Sequence, residues 1–557
     1  MSIRKDVELL TLAVLAAIVL RLLALTTAPQ FVTVGDNPEF ATLIREIIQN
    51  GFAVPATNHL YYPGSLWIYP PLILILEGIL SSLLGIHGSG VFYLLTLTAL
   101  TIDSLTVVPV FLVTRRLFGR NAAWLAVAVF VAFGPDIYDM TWSALPQITA
   151  SALSLWLVYT LIAARDKRGR RLLVNGIVAG LLMSMIALSH DLSTFVIYFS
   201  VAIFVIVGTF MCIFKSKPAD ELLRLRSSNI SGLICLLVGL PAALYWYLPR
   251  IAWVLDTATA STADIPAPHI ASALISVLGS LAGSIYISLL FFGIFLFALY
   301  QVVRSETLRT NSLVITTFLL SSVILDIWKW NNQVLLPRLI YFGFLPSLVL
   351  IGFGMEQFRL LISGRGEGNS SNRFKRLLHT PSFSIGPVHV VRWPRFAALG
   401  ILAVIIIANA AVSVTYGMES HVYYASCLSC PTSSTSLLAE PVLKWIGENV
   451  PANLTIASTG GYLGYLISAL DGNPTIVYQP YEYLTQPSEI AESHAAFTLV
   501  YNATANPEET LALISEYHVS YVLAFNFANT TVPAFYSVVY SDSQVVLYRV
   551  LNTENPL

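Results

Sequence analysis

Apolar runs of about 20 residues recur along this chain, and runs of that length leave few folds open. They lie at about 9–26, 91–113, 121–138, 146–164, 172–190, 193–214, 230–248, 271–302, 311–328, 338–357 and 395–415. In a bilayer the backbone can hydrogen-bond only to itself, so such runs become membrane-spanning helices. Composition agrees, because only 11% of the residues are charged, against roughly 25% in soluble domains. A net charge of −1 argues against a nucleic-acid partner. The first run follows Arg4 and Lys5, is long enough to span and lacks a small-residue cleavage site. It reads as a helix rather than a signal peptide.

Charge sets the expected orientation. Arg115-Arg116, Arg165 to Arg171, Lys215 to Arg226, Arg304 to Arg309 and Arg359 to Arg395 are basic clusters, and such clusters favour the cytoplasm. Alternation of the runs puts all five inside only if residues 70–86 do not cross. That stretch, PPLILILEGILSSLLGI, is short, starts with Pro70-Pro71 and carries Glu77, which suits a re-entrant or juxtamembrane helix. The expected architecture is a polytopic α-helical membrane protein of about 11 spans, N-terminus in and C-terminus out. Residues 1–415 form its transmembrane domain, and 27–90 the first extracytoplasmic loop.

In that loop, PEFATLIREIIQN places Phe40, Leu43, Ile44, Ile47 and Ile48 on one face and Arg45, Glu46, Gln49 and Asn50 on the other. This predicts an amphipathic helix on the outer membrane surface. Asn37 suits its cap, Pro38 its first position and Gly51 its end. Tyr61, Tyr62, Trp67 and Tyr69 read as an interfacial aromatic belt.

From about Tyr416 the pattern shortens and alternates, predicting an extracytoplasmic α/β domain over 416–557. EPVLKWIGENV, GYLGYLISAL and PEETLALISEYH read as helices. LTIAS, TIVY, AAFTLVY and VSYVLAF read as strands, and YSVVYSDSQVVLYRV as a hairpin turning at Ser541-Asp542-Ser543. N-x-[ST] sequons at Asn453, Asn502 and Asn529 fit an outside location. Cys212 and Cys235 lie in apolar runs and read as packing. Cys427 and Cys430 form a C-x-x-C that suits a disulfide; zinc would need ligands beyond the nearby His421.

With this topology, ionisable residues collect at outer helix ends. Asp36 and Glu39 follow the first span, in VGDNPEF. Asp136 and Asp139 follow the third, in FGPDIYDMTW, and His190-Asp191 sits between the fifth and sixth. Asp256, Asp264 and His269 follow the seventh, and Lys329 and Arg338 flank WNNQVLLP. Carboxylates can deprotonate an acceptor hydroxyl or hold a divalent cation, and arginine can bind a phosphate. The bland alternatives are a helix cap or solvated end for Asp136, Asp256 and Asp264, and an interhelical hydrogen bond for His190-Asp191. Asp103, in the middle of the second span, reads as a structural group.

Several segments, in order, resemble the GT-C superfamily of membrane glycosyltransferases. Gly35-Asp36 looks like that superfamily's first-loop acidic motif, and YYPGSLWIYPPLILILEGILSSLLGI its Tyr/Pro-rich juxtamembrane segment. LTVVPVFLVTRRLFGRNAAWLAVAVFVAFGP is similar to its turn between the second and third helices, and LPRLIYFGFLPSLVLIGFG to a late helix that starts with a basic residue. VLKWIGENVPANLTIAS is like the start of the outer domain in many members.

The resemblance implies sugar transfer from a polyprenyl-phosphate donor to a protein, lipid or glycan acceptor at the outer face of a cell membrane, with inversion. Asp36 takes the place of the catalytic or metal-binding acid, with Glu39 beside it. Asp136, Asp139, His190 and Asp191 are supporting or metal candidates, and Arg338 with Lys329 the phosphate site. The cofactor is open, a divalent cation being the candidate. The Trp-Trp-Asp motif of oligosaccharyltransferases is absent, which favours a monosaccharide donor over an oligosaccharyltransferase-like enzyme. A non-catalytic transporter or assembly scaffold is the remaining alternative. A transporter should show paired, Gly/Pro-broken spans in two halves, and none is visible.

Overall fold

A computed structural model describes residues 3–25, 37–132, 144–214, 219–251, 285–328, 335–362, 400, 403–415, 418, 436–459, 461–478, 487–525 and 532–551. The bundle contains α1 (Ile3–Leu25), α2 (Asn37–Gln49), α3 (Leu72–Leu84), α4 (Gly90–Leu105), α5 (Val107–Phe118), α6 (Arg120–Val131), α7 (Leu145–Ala163), α8 (Gly169–Ala187), α9 (Asp191–Phe214) and α10 (Ala219–Tyr247). It continues through α11 (Ile285–Arg304), α12 (Glu306–Asn311), α13 (Leu313–Trp328), α14 (Leu335–Ile362) and α15 (Ala403–Thr415). Among the described residues six helical stretches are long and apolar enough to cross a membrane: Arg4–Leu25, Gly90–Phe118, Leu145–Asp166, Gly169–Ala187, Asp191–Phe214 and Asp220–Arg250. The other five expected runs hold α6, α11, α13, α14 and α15. At 13 residues, α3 is shorter than a span.

Small residues and one buried ion pair organise the bundle. Gly176 and Gly180, one turn apart on α8, let α10 approach closely; a Cβ at Gly176 would lie 2.7 Å from Ile234, and Gly180 meets Val238 in the same way. Cys235 packs there with its Sγ 3.4 Å from Met183 Sδ, as expected for a packing cysteine. Arg21 of α1 and Asp103 of α4 are both buried and form an ion pair, with the guanidinium 5.2 Å from the Phe130 ring. Asp103 is thus structural, as its sequence position suggested. At the start of α1, Asp6 accepts from Arg115 at 3.3 Å and Arg120 at 2.7 Å. These arginines mark one end of the bundle, called here the basic end.

The C-terminal domain comprises α16 (Ser436–Asn449), β1 (Thr455–Thr459), α17 (Gly461–Leu470), β2 (Thr475–Tyr478), α18 (Pro487–Phe497), α19 (Pro507–Glu516), β3 (Val519–Phe525), β4 (Tyr536–Ser541) and β5 (Val545–Val550). Its sheet has the order β2-β1-β3-β5-β4, with β1 parallel to β2 and β3, and β5 antiparallel to β3 and β4. The β4–β5 hairpin turns where expected, Asp542 Oδ1 accepting from the amides of Gln544 at 2.7 Å and Val545 at 2.9 Å. The expected strand AAFTLVY is instead helical, the end of α18 continuing into a π-helical turn over Thr498–Asn502. Ala495, Ala496, Leu499, Val500 and Ala503 are buried against the sheet at helical spacing, and a short apolar run carries no periodicity that separates the two readings.

The domain and the bundle share one core. Leu25, Phe40, Ile44, Trp67, Phe92 and Trp246 belong to the same buried cluster as Ile446, Ile456, Leu466 and Leu523. Between them lies α2, packed against both α3 and α17, which corrects the expectation of a helix on the membrane surface. Its polar side is occupied by protein: Arg45 donates to the carbonyls of Ala469 and Leu470 at 3.0 Å and of Asp471 at 3.4 Å. Those are carbonyls left open at the end of α17. Gly472, in the left-handed region at φ 81°, makes room for that guanidinium where a Cβ would collide with it. Glu46 is buried and accepts from the amides of His59 at 3.0 Å and Leu60 at 2.7 Å.

The expected aromatic belt is likewise interior. Tyr61 stacks on Tyr465 with centroids 3.5 Å apart, and Tyr62 Oη donates to Val477 O at 2.8 Å. Thr475 N donates to Leu60 O at 2.8 Å and Tyr62 N to Thr475 O at 3.1 Å, so residues 60–62 pair in parallel with the free edge of β2. Trp67 is fully buried, its Nε1 donating to Tyr69 O at 2.9 Å.

Candidate active site at the domain end of the bundle

The end that carries the C-terminal domain is where the candidate residues gather. Leu25 closes α1, Phe40 lies in the first turn of α2, Phe92 in that of α4 and Leu145 begins α7. All pack with Trp246, near the end of α10. Asp36 lies outside the described residues, but its neighbour Asn37 is buried and its Nδ2 donates to Thr96 Oγ1 of α4 at 3.3 Å. Glu39 is half-buried in the first turn of α2, where a carboxylate also favours the helix dipole.

His190 and Asp191 stand at the junction of α8 and α9. The His190 ring is buried, its Nδ1 2.7 Å from Ser193 Oγ and its Nε2 3.7 Å from Asp191 Oδ1. The Leu72 amide donates to Leu188 O at 2.8 Å, which pins the start of α3 to this junction. Asp191 is partly open to solvent, its side chain 40% exposed. A carboxylate beside a buried imidazole can accept or relay a proton at this end.

Arg338 is the fourth residue of α14. One turn on, Phe342 packs with Leu325 of α13 and with Val196 of α9, which lies five residues after Asp191. The backbone of Arg338 is therefore at the same end of the bundle as His190 and Asp191. Asp136, Asp139, Lys329, Asp256, Asp264, His269 and the Cys427-Cys430 pair lie outside the described residues. Among the described residues no three His, Cys, Asp or Glu side chains gather to hold a metal ion.

One cation at this end escaped the sequence reading. Arg250 stacks on Trp246 at 3.7 Å and donates to Trp67 O at 2.7 Å and Trp246 O at 2.8 Å. The signal was present, since in the expected topology this arginine stands at an outward-facing span end, against the positive-inside bias.

Apolar helices of spanning length, with ionisable residues at the end that meets a small α/β domain, define a membrane-protein fold with an appended domain. That fold is found in solved structures. ArnT from Cupriavidus metallidurans, bound to undecaprenyl phosphate, matches with a TM-score of 0.60 at 13% identity, covering 100% of both chains. The archaeal oligosaccharyltransferase AglB from Archaeoglobus fulgidus, in complex with an inhibitory peptide and a dolichol-phosphate, matches with a TM-score of 0.59 at 14% identity. That match covers 94% of this chain and 70% of AglB. The fold agrees with the GT-C resemblance read from the sequence. No protein-family model matches the chain, and no curated protein matches it significantly.

Proposed function

We propose that this protein is a membrane glycosyltransferase that moves a sugar from a polyprenyl-phosphate carrier to an acceptor on the extracytoplasmic face. The observation that carries this reading is the fold match to two proteins solved with polyprenyl phosphates, a dolichol-phosphate in AglB and undecaprenyl phosphate in ArnT. The convergence of Glu39, His190-Asp191 and the Arg338 backbone at one end of the bundle supports it.

In the proposed reaction the donor lipid lies among the helices with its phosphate at the domain end. Arg338, with Lys329, binds the phosphate and stabilises the charge that grows as the sugar–phosphate bond breaks. Asp36 takes the proton of the acceptor hydroxyl, which attacks the anomeric carbon from the face opposite the phosphate, inverting it. The Asp191-His190 pair holds the neighbouring junction and supplies a second acid. The missing Trp-Trp-Asp motif favours a monosaccharide donor over the oligosaccharyltransferase reading.

Turnover tests this directly. Purified protein in liposomes carrying polyprenyl-phosphate sugar, supplied with membrane extract as the source of acceptor, should release polyprenyl phosphate as the sugar is transferred. Asp36→Asn should lower the rate by ~10²-fold or more, the scale of a lost general base, while the melting temperature stays unchanged. Near-normal turnover in that variant removes Asp36 from the chemistry.

A further inference from the structure

The basic end of the bundle holds a cavity that the transfer reaction does not use. It measures about 580 Å³ and lies between α5, α7, α10 and α12. Among the described residues, Arg115, Arg116, Arg165 and Arg224 line it with one acid, Asp166, and with Asn311. Its walls include Leu112 and Ile162. A second cavity of about 460 Å³ shares Arg116, Tyr159 and Asp166 with the first, is walled by Val174 and Val178 of α8, and has Lys167 at its rim. Val174 and Val178 are otherwise exposed side chains.

Basic residues at the end of a span are usually solvated, and a positive-inside cluster alone implies no ligand. Arg165 is different. It is only 8% exposed, and its Nη1 and Nη2 are held by Asn311 Oδ1 at 3.2 Å and Thr310 O at 2.7 Å. Its Nε is buried, with no hydrogen-bond partner among the described residues. Held in this way, the guanidinium is a fixed cation in the wall of the cavity. Among the described residues, two acids are in ion pairs with these arginines. Asp166 pairs with Arg116 and reaches Arg224 only at 3.9 Å, and Asp6 is shared between Arg115 and Arg120.

We propose that this cavity binds the phosphate group of an anionic membrane lipid, with the phosphate among the arginines and the acyl chains along Val174 and Val178. Arginine forks suit phosphate oxygens. Basic pockets between membrane helices bind anionic headgroups, and the adjoining apolar wall favours a lipid over a free phosphate. The site lies at the opposite end of the bundle from the candidate active site, because Arg115 and Arg165 end the helices whose other ends lie beside Phe92 and Leu145.

The experiment is native mass spectrometry of the delipidated, full-length protein in detergent. It is titrated with phosphatidylglycerol, with phosphatidylcholine of the same chains, or with inorganic phosphate. The parent should retain phosphatidylglycerol over phosphatidylcholine by roughly tenfold. The Arg116→Gln, Arg224→Gln double variant, which leaves Arg165 in place, should lose that preference. Asp166→Asn should keep or raise it. A control removing the same charge from exposed residues outside the cavity, Arg170→Gln with Arg171→Gln, should keep it. The proposal is overturned if the parent shows no lipid preference, if the double variant keeps it, or if the control loses it equally. It is also overturned if inorganic phosphate binds at these arginines and the lipid does not.

Discussion

At the domain end, Arg45 donates to three backbone carbonyls and Glu46 accepts from two backbone amides. At the basic end, among the described residues, four arginines and one aspartate line a cavity. Both sets of charges look alike in sequence, as ionisable residues beside apolar runs. The difference is what they face: backbone groups of the other domain at Arg45, a cavity at the basic end. Where a charge meets such backbone groups, as at Arg45, it joins two domains. Where arginines line a cavity, as Arg115, Arg116, Arg165 and Arg224 do, room is left for a ligand. Asp36 and Arg338 are proposed to belong to the second kind, at the first end.

The sharpest test of a charge satisfied by protein is the buried Arg21–Asp103 pair. Arg21→Met alone should destabilise the protein by ~3–5 kcal/mol, because it leaves a buried carboxylate unpaired. Adding Asp103→Leu should restore most of that loss. Thermal unfolding of the single and double variants decides it. A double variant no better than the single would mean that the two residues are not partners.

The seam should respond less strongly. Arg45→Ala is expected to cost about 1–3 kcal/mol and to speed amide exchange at Tyr62 and Thr475, whose backbone pairing depends on the docked domain. Phosphatidylglycerol retention should be unchanged, because Arg45 is at the other end. A loss of lipid binding in this variant would break the distinction between the two ends.

A smaller, pH-dependent effect lies in the same seam. Burial pushes the Asp471 carboxyl up from 3.8 to about 7, with Arg45 opposing the shift. A carboxyl raised in the folded state binds its proton more tightly there. Its stabilising contribution is therefore complete below the unfolded value of 3.8 and is lost as pH rises through about 7. Burial raises Glu46 in the same direction. After correction for intrinsic exchange, Tyr62 and Thr475 should be better protected at about pH 5 than at about pH 8. The Glu46→Gln, Asp471→Asn double variant should flatten that dependence. Protection that grows with pH in the parent would contradict the assignment.

Much of the helical frame was readable from the chain, because spanning length and apolarity are local properties. The eleven runs all hold helices, and Pro70-Pro71 with Glu77 rightly marked a short helix at residues 72–84. The end of α2 was readable too, since Gly51 takes the left-handed conformation at φ 66°. What α2 packs against was not. Its moment is the same whether the apolar face meets lipid or protein, and the partners of Arg45 lie more than 420 residues away. Tyr61 and Tyr62 misled for the same reason, since an amphipathic ring suits a membrane interface or a domain seam equally. Asp103 was legible as structural from its depth in a span, but its partner Arg21 was not. Pairing across 82 residues leaves no periodic trace. At the candidate site, sequence order placed His190, Asp191 and Arg338 at helix ends, and the packing of Phe342 with Val196 puts those ends together. Arg250 lies two residues beyond the 230–248 run, and its contacts with Trp67 and Trp246 leave no periodic trace in the sequence.

The central claim is that the domain end binds a polyprenyl phosphate through Arg338. The measurement is the dissociation constant for polyprenyl phosphate of the purified parent, Arg338→Lys and Arg338→Ala proteins. Lysine keeps the charge but loses the two-pronged geometry, so Arg338→Lys should weaken binding by ~1–2 kcal/mol and Arg338→Ala by more. If both variants bind the lipid as tightly as the parent, Arg338 is an interfacial anchor and the proposed phosphate site is wrong.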